Sequence, residues 1–146
     1  MAVIGYGDIG AACAKIAKLG FGMKVWGVKR NPDDCSDLYR SYCDEVVGNS
    51  EYERVIKEAD YVVGVLPKVA DTVDFFNNET TFSKMKPTSV FMNIGRGPTC
   101  KEDDLVSALQ EKKIAGAVLD VFAKEPLSED SPLWSMDNVL ITPHCA

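Results

Sequence analysis

The sequence predicts an α/β fold built on a doubly wound parallel sheet of about seven strands. Short apolar runs rich in β-branched residues alternate with longer helical segments along the 146 residues, as in repeated β–α–β units. Some runs, such as Tyr61–Leu66, are almost uninterrupted in their apolar character, as expected for strands covered by helices on both faces. A glycine-rich turn at residues 5–10 joins the first run to a helical segment.

Seven segments have the length and composition of strands, and four have the clearest periodicity of helices. The predicted strands are Ala2–Gly5, Lys24–Val28, Glu45–Val47, Tyr61–Leu66, Ser89–Ile94, Ala115–Leu119 and Val139–Thr142. The predicted helices are Ile9–Leu19, Tyr52–Glu58, Glu79–Met85 and Glu102–Glu111. Prolines at 126, 132 and 143 mark a late loop and the end of the last strand. We therefore expect one domain over residues 1–146.

The composition narrows the classes of partner. A net charge of −6 with 26% charged residues predicts an acidic, solvated surface, which argues against DNA or RNA as a partner. The sequence shows neither an apolar run of about 18 residues nor a basic leader followed by an apolar one, so we expect no membrane partner and a cytoplasmic location. The five cysteines are odd in number and lack C-x-x-C spacing, which predicts no disulfide framework, no metal site and a reducing compartment. Cys145 directly follows the only histidine.

The glycine-rich turn has the G-x-G-x-x-G spacing that binds a pyrophosphate when it lies between a strand and a helix. Gly5 permits the tight turn, Gly7 lets the backbone approach the pyrophosphate, and Gly10 allows close packing of helix on strand. The helix N-terminus then presents N–H groups to the phosphates. A turn that binds nothing is the alternative, and the surrounding strands favour the dinucleotide. The predicted cofactor-binding residues of the loop are Gly5, Gly7, Asp8, Ile9 and Gly10.

The end of the second strand distinguishes between dinucleotides. A carboxylate there would accept a hydrogen bond from the adenosine ribose 2′-hydroxyl, but this chain has Lys29 and Arg30 at that point. Two cations can pair with a 2′-phosphate, and arginine does so with two parallel hydrogen bonds. The alternative is a solvated basic turn. We predict NADP(H) in preference to NAD(H) as the cofactor.

Charged residues follow three of the predicted strands. Arg96 follows the fifth strand, Asp120 the sixth and His144 the seventh, so all three are expected at the edge of the sheet where ligands of open α/β folds bind. Glu125 lies in the loop after Asp120 and could reach the same edge. A carboxylate that accepts a hydrogen bond from histidine fixes its tautomer and prepares it to donate a proton. Each residue alone could be a solvated charge or a structural histidine, whereas their joint placement predicts a catalytic site.

Several motifs in order along the chain resemble the NAD(P)-binding domain of the D-isomer-specific 2-hydroxyacid dehydrogenases, a Rossmann-type fold. The motifs that carry the resemblance are Gly5–Gly10, Leu66–Pro67, Met85–Pro87, Asn93–Gly97, Leu119–Pro126, Pro132–Trp134 and Thr142–His144. They extend over nearly the whole chain. Two places depart from the family pattern: Val69–Ala70 replaces a threonine–proline pair, and Ile94–Gly95 replaces a small polar pair.

The resemblance implies roles for the site residues. Arg96 would hold the carboxylate and carbonyl of a 2-oxo acid, His144 would protonate the carbonyl oxygen as hydride arrives, and Glu125 would support the histidine. Asp120 would contact the carboxamide side of the nicotinamide. Further cofactor contacts are implied for Leu66, Pro67, Ile94 and Gly95. Lys29 and Arg30 are similar to the basic pair of NADP(H)-preferring glyoxylate/hydroxypyruvate reductases.

The resemblance also implies a second, substrate-binding domain and a homodimer. This chain carries only the nucleotide-binding half, so we expect it to catalyse poorly by itself, because closure of the second domain excludes water and completes the site. The first hypothesis is therefore the cofactor domain of an NADP(H)-dependent enzyme acting on small 2-oxo and 2-hydroxy acids. A second is a dimerising, dinucleotide-sensing module similar to the corepressors that share these motifs. A nucleotide-binding remnant without a reaction is a third.

Overall fold

The computed structural model describes all residues from Met1 to Ala146. Its strands are β1 (Ala2–Ile4), β2 (Trp26–Val28), β3 (Glu45–Val47), β4 (Tyr61–Gly64), β5 (Val90–Asn93), β6 (Gly116–Leu119) and β7 (Val139–Ile141). Its α-helices are α1 (Asp8–Lys15), α2 (Asp37–Arg40), α3 (Tyr52–Glu58) and α4 (Glu102–Gln110). Each strand lies within its predicted range, and most are shorter at one or both ends.

Two helical predictions hold closely: α3 has the predicted bounds, and α4 ends one residue before the predicted Glu111. The other two differ from the structure at their ends. The first predicted helix, Ile9–Leu19, is α1 followed by a wider π-type turn over Ile16–Gly20, and the chain then reverses at Gly22, whose φ is +64°. The predicted helix Glu79–Met85 is instead a π-type turn over Asn78–Phe82. It starts earlier because the Asn77 side chain accepts a hydrogen bond from the Thr80 N–H. The short helix α2 was not predicted.

All seven strands form one parallel sheet in the order β3-β2-β1-β4-β5-β6-β7. From β1 the sheet extends through β2 and β3 in one direction and through β4, β5, β6 and β7 in the other. The order therefore reverses between β1 and β4, which is the doubly wound arrangement that the sequence predicts. At such a reversal the two following loops diverge and leave a crevice between them.

The carboxyl ends of all seven strands lie on one transverse row. The paired residues along this row are Val47, Val28, Ile4, Gly64, Asn93, Leu119 and Ile141, and each is the last residue of its strand. The residues just beyond this row continue the hydrogen bonds of the sheet: the Asp120 N–H donates to the Asn93 carbonyl oxygen, and the Thr142 N–H donates to the Leu119 carbonyl oxygen. The seven loops that carry the candidate site residues therefore start from a common level.

Successive residues of β1 face two separate apolar clusters. Ala2 and Ile4 point into a cluster that contains buried residues of α3 and α4, while Val3 faces the other side of the sheet. There α1 packs closely through the buried alanines Ala11 and Ala14, and the turn that follows it packs through Ala17. The phosphate-binding end of α1 is thus anchored to the central strand by contacts that admit only small side chains.

One part of the sheet lacks a helix on the α1 side. The cross-strand row Val63, Met92, Val118 and Leu140 lies on this side, and its exposure grows away from the centre. Val63 is 4% exposed and Leu140 is 59% exposed, with the other two half-buried. In β1 and β2, by contrast, every residue is buried. None of the helices has the length and apolar character that crossing a bilayer requires.

Candidate functional site

A cleft of about 910 Å³ opens at the reversal of the sheet, between the loops after β1 and β4. It is lined by the predicted residues Gly5, Gly7, Asp8, Ile9, Gly10, Lys29, Arg30, Leu66 and Pro67. Other residues also line the cleft, among them Asn49, Asp71, Thr72 and Phe75, and no role was predicted for them from the sequence. The structure therefore brings the predicted phosphate loop and the predicted basic pair to one cavity.

The three loop glycines have different surroundings. Gly5 has a φ of +96°, and a Cβ there would lie 2.7 Å from the Val65 carbonyl oxygen. A Cβ on Gly10 would lie 2.7 Å from the Gly5 carbonyl oxygen, so this glycine permits the contact between α1 and the loop. Gly7 has no atom within 4 Å of a Cβ and faces open space in the cleft. The loop leaves room for a pyrophosphate at Gly7, directly before the N-terminus of α1, and so fits a dinucleotide.

Asp8 places a carboxylate at the first turn of α1, where it lines the cleft. The hydroxyl of Tyr39 in α2 donates a hydrogen bond to its Oδ1 over 3.0 Å. This bond raises the pKa of the tyrosine, and the charge of the carboxylate adds to the effect. The loop tyrosine, Tyr6, is buried below and donates to the Tyr39 carbonyl oxygen, so α2 supports the loop from two sides.

The basic end of the cleft follows β2. The Lys29 N–H continues the sheet by donating to the Val47 carbonyl oxygen, and Arg30 follows it with an exposed side chain. The Arg30 guanidinium lies 3.4 Å from the Asp71 carboxylate, which belongs to a 3₁₀ turn over Ala70–Thr72. The loop after β4 thus brings a carboxylate next to the basic pair of the cleft.

The turn before Arg96 is held by buried polar groups. Asn93, which is 1% exposed, accepts a hydrogen bond from the Gly95 N–H over 3.2 Å, and Thr99 donates to the Arg96 carbonyl oxygen over 2.6 Å. A Cβ on Gly95 would lie 2.7 Å from the Leu66 carbonyl oxygen, so the loops after β4 and β5 touch. Arg96 is exposed at this edge, and its Nη1 donates to the Gly95 carbonyl oxygen over 2.7 Å. It lines neither this cleft nor the smaller cavity beside His144.

His144 and Glu125 are in direct contact. His144 Nδ1 lies 2.8 Å from Glu125 Oε2, while Glu125 Oε1 accepts the Phe122 N–H over 3.0 Å. The Phe122 hydrogen bond, then the His144 contact, lowers the pKa of Glu125. Because an ionised carboxylate can only accept hydrogen bonds, Nδ1 is the donor and Nε2 remains available. The pair can therefore present a proton donor at the edge of the sheet.

Asp120 organises the turn that carries His144. Its carboxylate is 2% exposed and accepts hydrogen bonds from the Thr142 hydroxyl and from the N–H groups of Cys145 and Ala146. Burial alone would raise the pKa of Asp120, but these bonds outweigh it and lower the pKa to about 2. The turn includes His144 at a φ of +55°. Asp120 therefore has three partners within the chain, in addition to the cofactor contact that the resemblance implies.

A second cavity, of about 460 Å³, adjoins the histidine. Its walls include Glu125, His144 and several apolar side chains, among them Phe122, Leu127 and Trp134. Trp134 is 55% exposed, and its indole N–H donates to the Ser128 carbonyl oxygen over 2.9 Å. Of the predicted site residues, Asp120, Glu125 and His144 meet at this cavity, whereas the cofactor residues of the first half line the larger cleft.

The supporting residues were found by structure rather than by sequence reasoning. Tyr39, Asp71, Asn93 and Thr142 all contact predicted site residues, but none was assigned a role from the sequence. The one available signal was that Asn93 and Thr142 lie in the motifs of the resemblance. Nothing in the local sequence connects Tyr39 with Asp8 or Asp71 with Arg30.

Comparisons with known proteins agree with this geometry. The family profile described as "D-isomer specific 2-hydroxyacid dehydrogenase, NAD binding domain" matches residues 1–146. The chain is 40% identical to glyoxylate/hydroxypyruvate reductase B of Salmonella gallinarum over 146 residues, covering 99% of this chain and 43% of that protein. The chain thus spans less than half the length of this relative.

Solved structures give the same result. A D-isomer specific 2-hydroxyacid dehydrogenase from Xanthobacter autotrophicus Py2, in complex with NADPH and MES, has a TM-score of 0.88 at 36% identity, covering 99% of this chain and 57% of the other. An NADPH-dependent glyoxylate/hydroxypyruvate reductase from Sinorhizobium meliloti, in complex with NADP and sulfate, has a TM-score of 0.85 at 32% identity. The match covers 98% of this chain and 44% of the other. The chain therefore belongs to the D-isomer specific 2-hydroxyacid dehydrogenase family and corresponds to the NAD-binding domain of that family.

Proposed function

We propose that this domain serves a reductase that converts small 2-oxo acids, such as glyoxylate and hydroxypyruvate, into 2-hydroxy acids. The observation that carries the proposal is the contact of His144 with Glu125 on the edge of the sheet that also holds the dinucleotide cleft. A proton donor and a cofactor site on one edge suit the combined transfer of hydride and proton to a carbonyl group. The reductase name of the Salmonella relative supports this reaction over the cofactor-sensing alternative.

The chemistry divides between the residues and the cofactor. The bound nicotinamide would supply the hydride. His144 delivers a proton from Nε2 to the carbonyl oxygen, and Glu125 holds the imidazole by its Nδ1–H. Arg96 neutralises the substrate carboxylate and polarises its carbonyl, which favours the developing negative charge. Asp120 keeps the histidine turn in place by its bonds to Thr142, Cys145 and Ala146.

NADPH is the preferred cofactor in this proposal. Lys29 and Arg30 lie at the end of β2 and line the cleft, where they can neutralise a 2′-phosphate. The complexes of the Xanthobacter and Sinorhizobium proteins with NADPH and NADP support the same preference. Gly5, Gly7 and Gly10 shape the phosphate loop, and Leu66 and Pro67 form the opposite wall of the cleft. The resemblance implies further cofactor contacts at Ile94 and Gly95, which follow β5.

The proposed enzyme includes a second domain that binds the substrate and closes over this edge. This is supported by the reductase relative, of whose length the chain covers only 43%. A second copy of the chain forms a homodimer. Its support is a pair of exposed apolar side chains in the turn that follows α1, Ile16 and Leu19, at 62% and 66% exposure. Five free cysteines agree with a reducing compartment such as the cytoplasm.

A kinetic comparison tests the proposed reaction. The complete enzyme should reduce glyoxylate and hydroxypyruvate with NADPH, and His144→Ala should lower kcat by about 100-fold or more while leaving NADPH binding within about twofold. Cofactor titration and steady-state rates measured on the same preparations separate the two effects. Tight cofactor binding without turnover of any 2-oxo acid would contradict the reductase and favour the cofactor-sensing module.

A further inference from the structure

We infer that Asp71 limits the preference for NADPH by competing with the ribose 2′-phosphate for Arg30. The inference rests on the proposed function, because it assumes that this cleft accepts NADPH. Asp71 is an additional specificity-determining residue, and it acts through Arg30 rather than through the reacting atoms.

The two side chains meet across the cleft. Arg30 follows β2 and Asp71 follows β4, and they are 41 positions apart in the sequence. Arg30 Nη2 lies 3.4 Å from Asp71 Oδ2, and both residues line the cleft that contains the phosphate loop. β1 lies between the two strands in the sheet. The ion pair therefore connects the two sides of the crevice above β1.

The fold holds Asp71 at this place. Its 3₁₀ turn is closed by the buried Thr72, whose hydroxyl donates to the Pro67 carbonyl oxygen and accepts the Val69 N–H over 2.9 Å. The Thr72 N–H also donates to the Val69 carbonyl oxygen over 3.0 Å. Because the backbone on both sides of Asp71 is tied down, its carboxylate stays within reach of the cleft whether or not Arg30 is engaged.

Because both side chains are exposed, a ligand phosphate can replace the Asp71 carboxylate as the partner of Arg30. The side chains of Arg30 and Asp71 are 72% and 79% exposed, so water screens their attraction and the pair is weak. A phosphate can form two charge-assisted hydrogen bonds with the guanidinium and would displace the carboxylate. The displaced carboxylate then lies near a phosphate of the same charge, which opposes binding. NADH carries a neutral hydroxyl at this position, so the same carboxylate opposes NADH far less.

The expected size of the effect follows from the exposed setting. Asp71→Asn removes the negative charge, keeps the shape and frees Arg30 for the phosphate. We expect NADPH to bind about two- to fivefold more tightly and NADH to change by less than about 1.5-fold, since exposed pairs contribute little. The gain should shrink as salt is raised, because screening weakens both the pair and the repulsion.

The test uses calorimetric titration of this chain with NADPH and NADH. Four variants are compared with the unmodified chain: Asp71→Asn, Arg30→Gln, the double variant, and Asp137→Asn as a control. Asp137 is exposed and outside the cleft, so the control removes the same charge elsewhere. We expect the full gain in NADPH affinity with Asp71→Asn alone and a clearly smaller gain in the Arg30→Gln background, where only the repulsion between the carboxylate and the phosphate is left to remove.

The outcomes separate this inference from the proposed function. If Arg30→Gln weakens NADPH binding but Asp71→Asn changes it no more than Asp137→Asn does, the competition is wrong and the NADPH preference stands. If the gain is equally large without Arg30, Asp71 does not act through the arginine and the inference is also wrong. If neither the unmodified chain nor Asp71→Asn distinguishes NADPH from NADH, both proposals fail. A preference that emerges only in Asp71→Asn supports the inference.

Discussion

His144 donates its Nδ1–H to Glu125 over 2.8 Å, and the same carboxylate accepts the Phe122 N–H with its other oxygen. Each oxygen thus has its own donor, one from the loop after β6 and one from the turn after β7. The bond leaves Nε2 as the nitrogen that can exchange a proton with a ligand.

Glu125→Gln should break this arrangement. The amide has only one oxygen for two donors, so either Phe122 or His144 loses its acceptor. Since His144 is the only histidine, its imidazole nitrogen signals can be assigned directly by NMR. We expect a mixture of the two neutral tautomers and, in the complete enzyme, a fall in kcat of up to about 100-fold.

Glu129→Gln is the matched control for this change, because Glu129 is exposed and lies in the same loop region. It should leave both the tautomer and the rate unchanged. An unaltered Nδ1–H tautomer in Glu125→Gln would show that something other than this carboxylate orients the histidine.

Asp120 should contribute a pH-dependent part of the stability. Its pKa is about 2 in the fold against an ordinary value of 3.8, so the ionised form stabilises the folded chain by about 2 kcal/mol above pH 4. Because the folded pKa is the lower one, this contribution declines as the pH falls from about 4 towards 2.

Asp120→Asn should lower the free energy of unfolding at pH 7 by about 1–3 kcal/mol, and the difference from the unmodified chain should narrow below pH 4. Urea unfolding at a series of pH values measures both effects. Asp137→Asn serves as the exposed control. A difference that stays constant down to pH 2 would exclude the proposed ionisation.

The loop glycines offer a pair of opposite expectations. Gly10→Ala places a Cβ 2.7 Å from the Gly5 carbonyl oxygen and should destabilise the fold by about 1–3 kcal/mol. Gly7→Ala meets no atom within 4 Å and should leave stability within about 0.5 kcal/mol.

The added methyl group of Gly7→Ala nevertheless lies where the backbone should approach the pyrophosphate. We expect cofactor binding to weaken by about 10- to 100-fold, which corresponds to the loss of one charge-assisted hydrogen bond. Thermal unfolding and cofactor titration of the two variants provide the comparison. Unchanged cofactor affinity in Gly7→Ala would place the pyrophosphate elsewhere.

The cysteines should differ in their reaction with an alkylating reagent. Cys145 is exposed, whereas Cys35, Cys43 and Cys100 are buried. Burial raises the pKa of Cys43 to about 11 and also raises the pKa of Cys100, so few of these thiols are ionised at pH 8. Mass spectrometry of the native chain should find Cys145 modified first. Early modification of Cys100 would indicate that the region around α4 opens readily.

Local patterns were sufficient to predict the strands and the phosphate loop. Runs such as Tyr61–Leu66 have a composition that suits a strand covered on both faces. The glycine spacing of the phosphate loop depends only on backbone geometry within six residues. The strand ends in turn predicted that Arg96, Asp120 and His144 leave the sheet at one edge.

Contacts between distant segments could not be predicted in the same way. The ion pair of Arg30 with Asp71 depends on the order of the strands in the sheet, and the bonds of Asp120 depend on a turn in which His144 has a positive φ. The extent of the helix near Asn78 was missed because its cap, Asn77, shifts the start and widens the turn. These features arise from tertiary structure, where no short pattern reports them.

The common row on which the seven strands end has a mechanical consequence. Each loop beyond it is attached to its neighbours by the last ladder bonds, as with Asp120 on Asn93 and Thr142 on Leu119. A change in the length of one loop therefore alters only the height to which that loop rises, while the bases of the other six keep their spacing. The separation between the base of the phosphate loop and the base of the turn that carries His144 is therefore set by four strand spacings, of about 4.8 Å each.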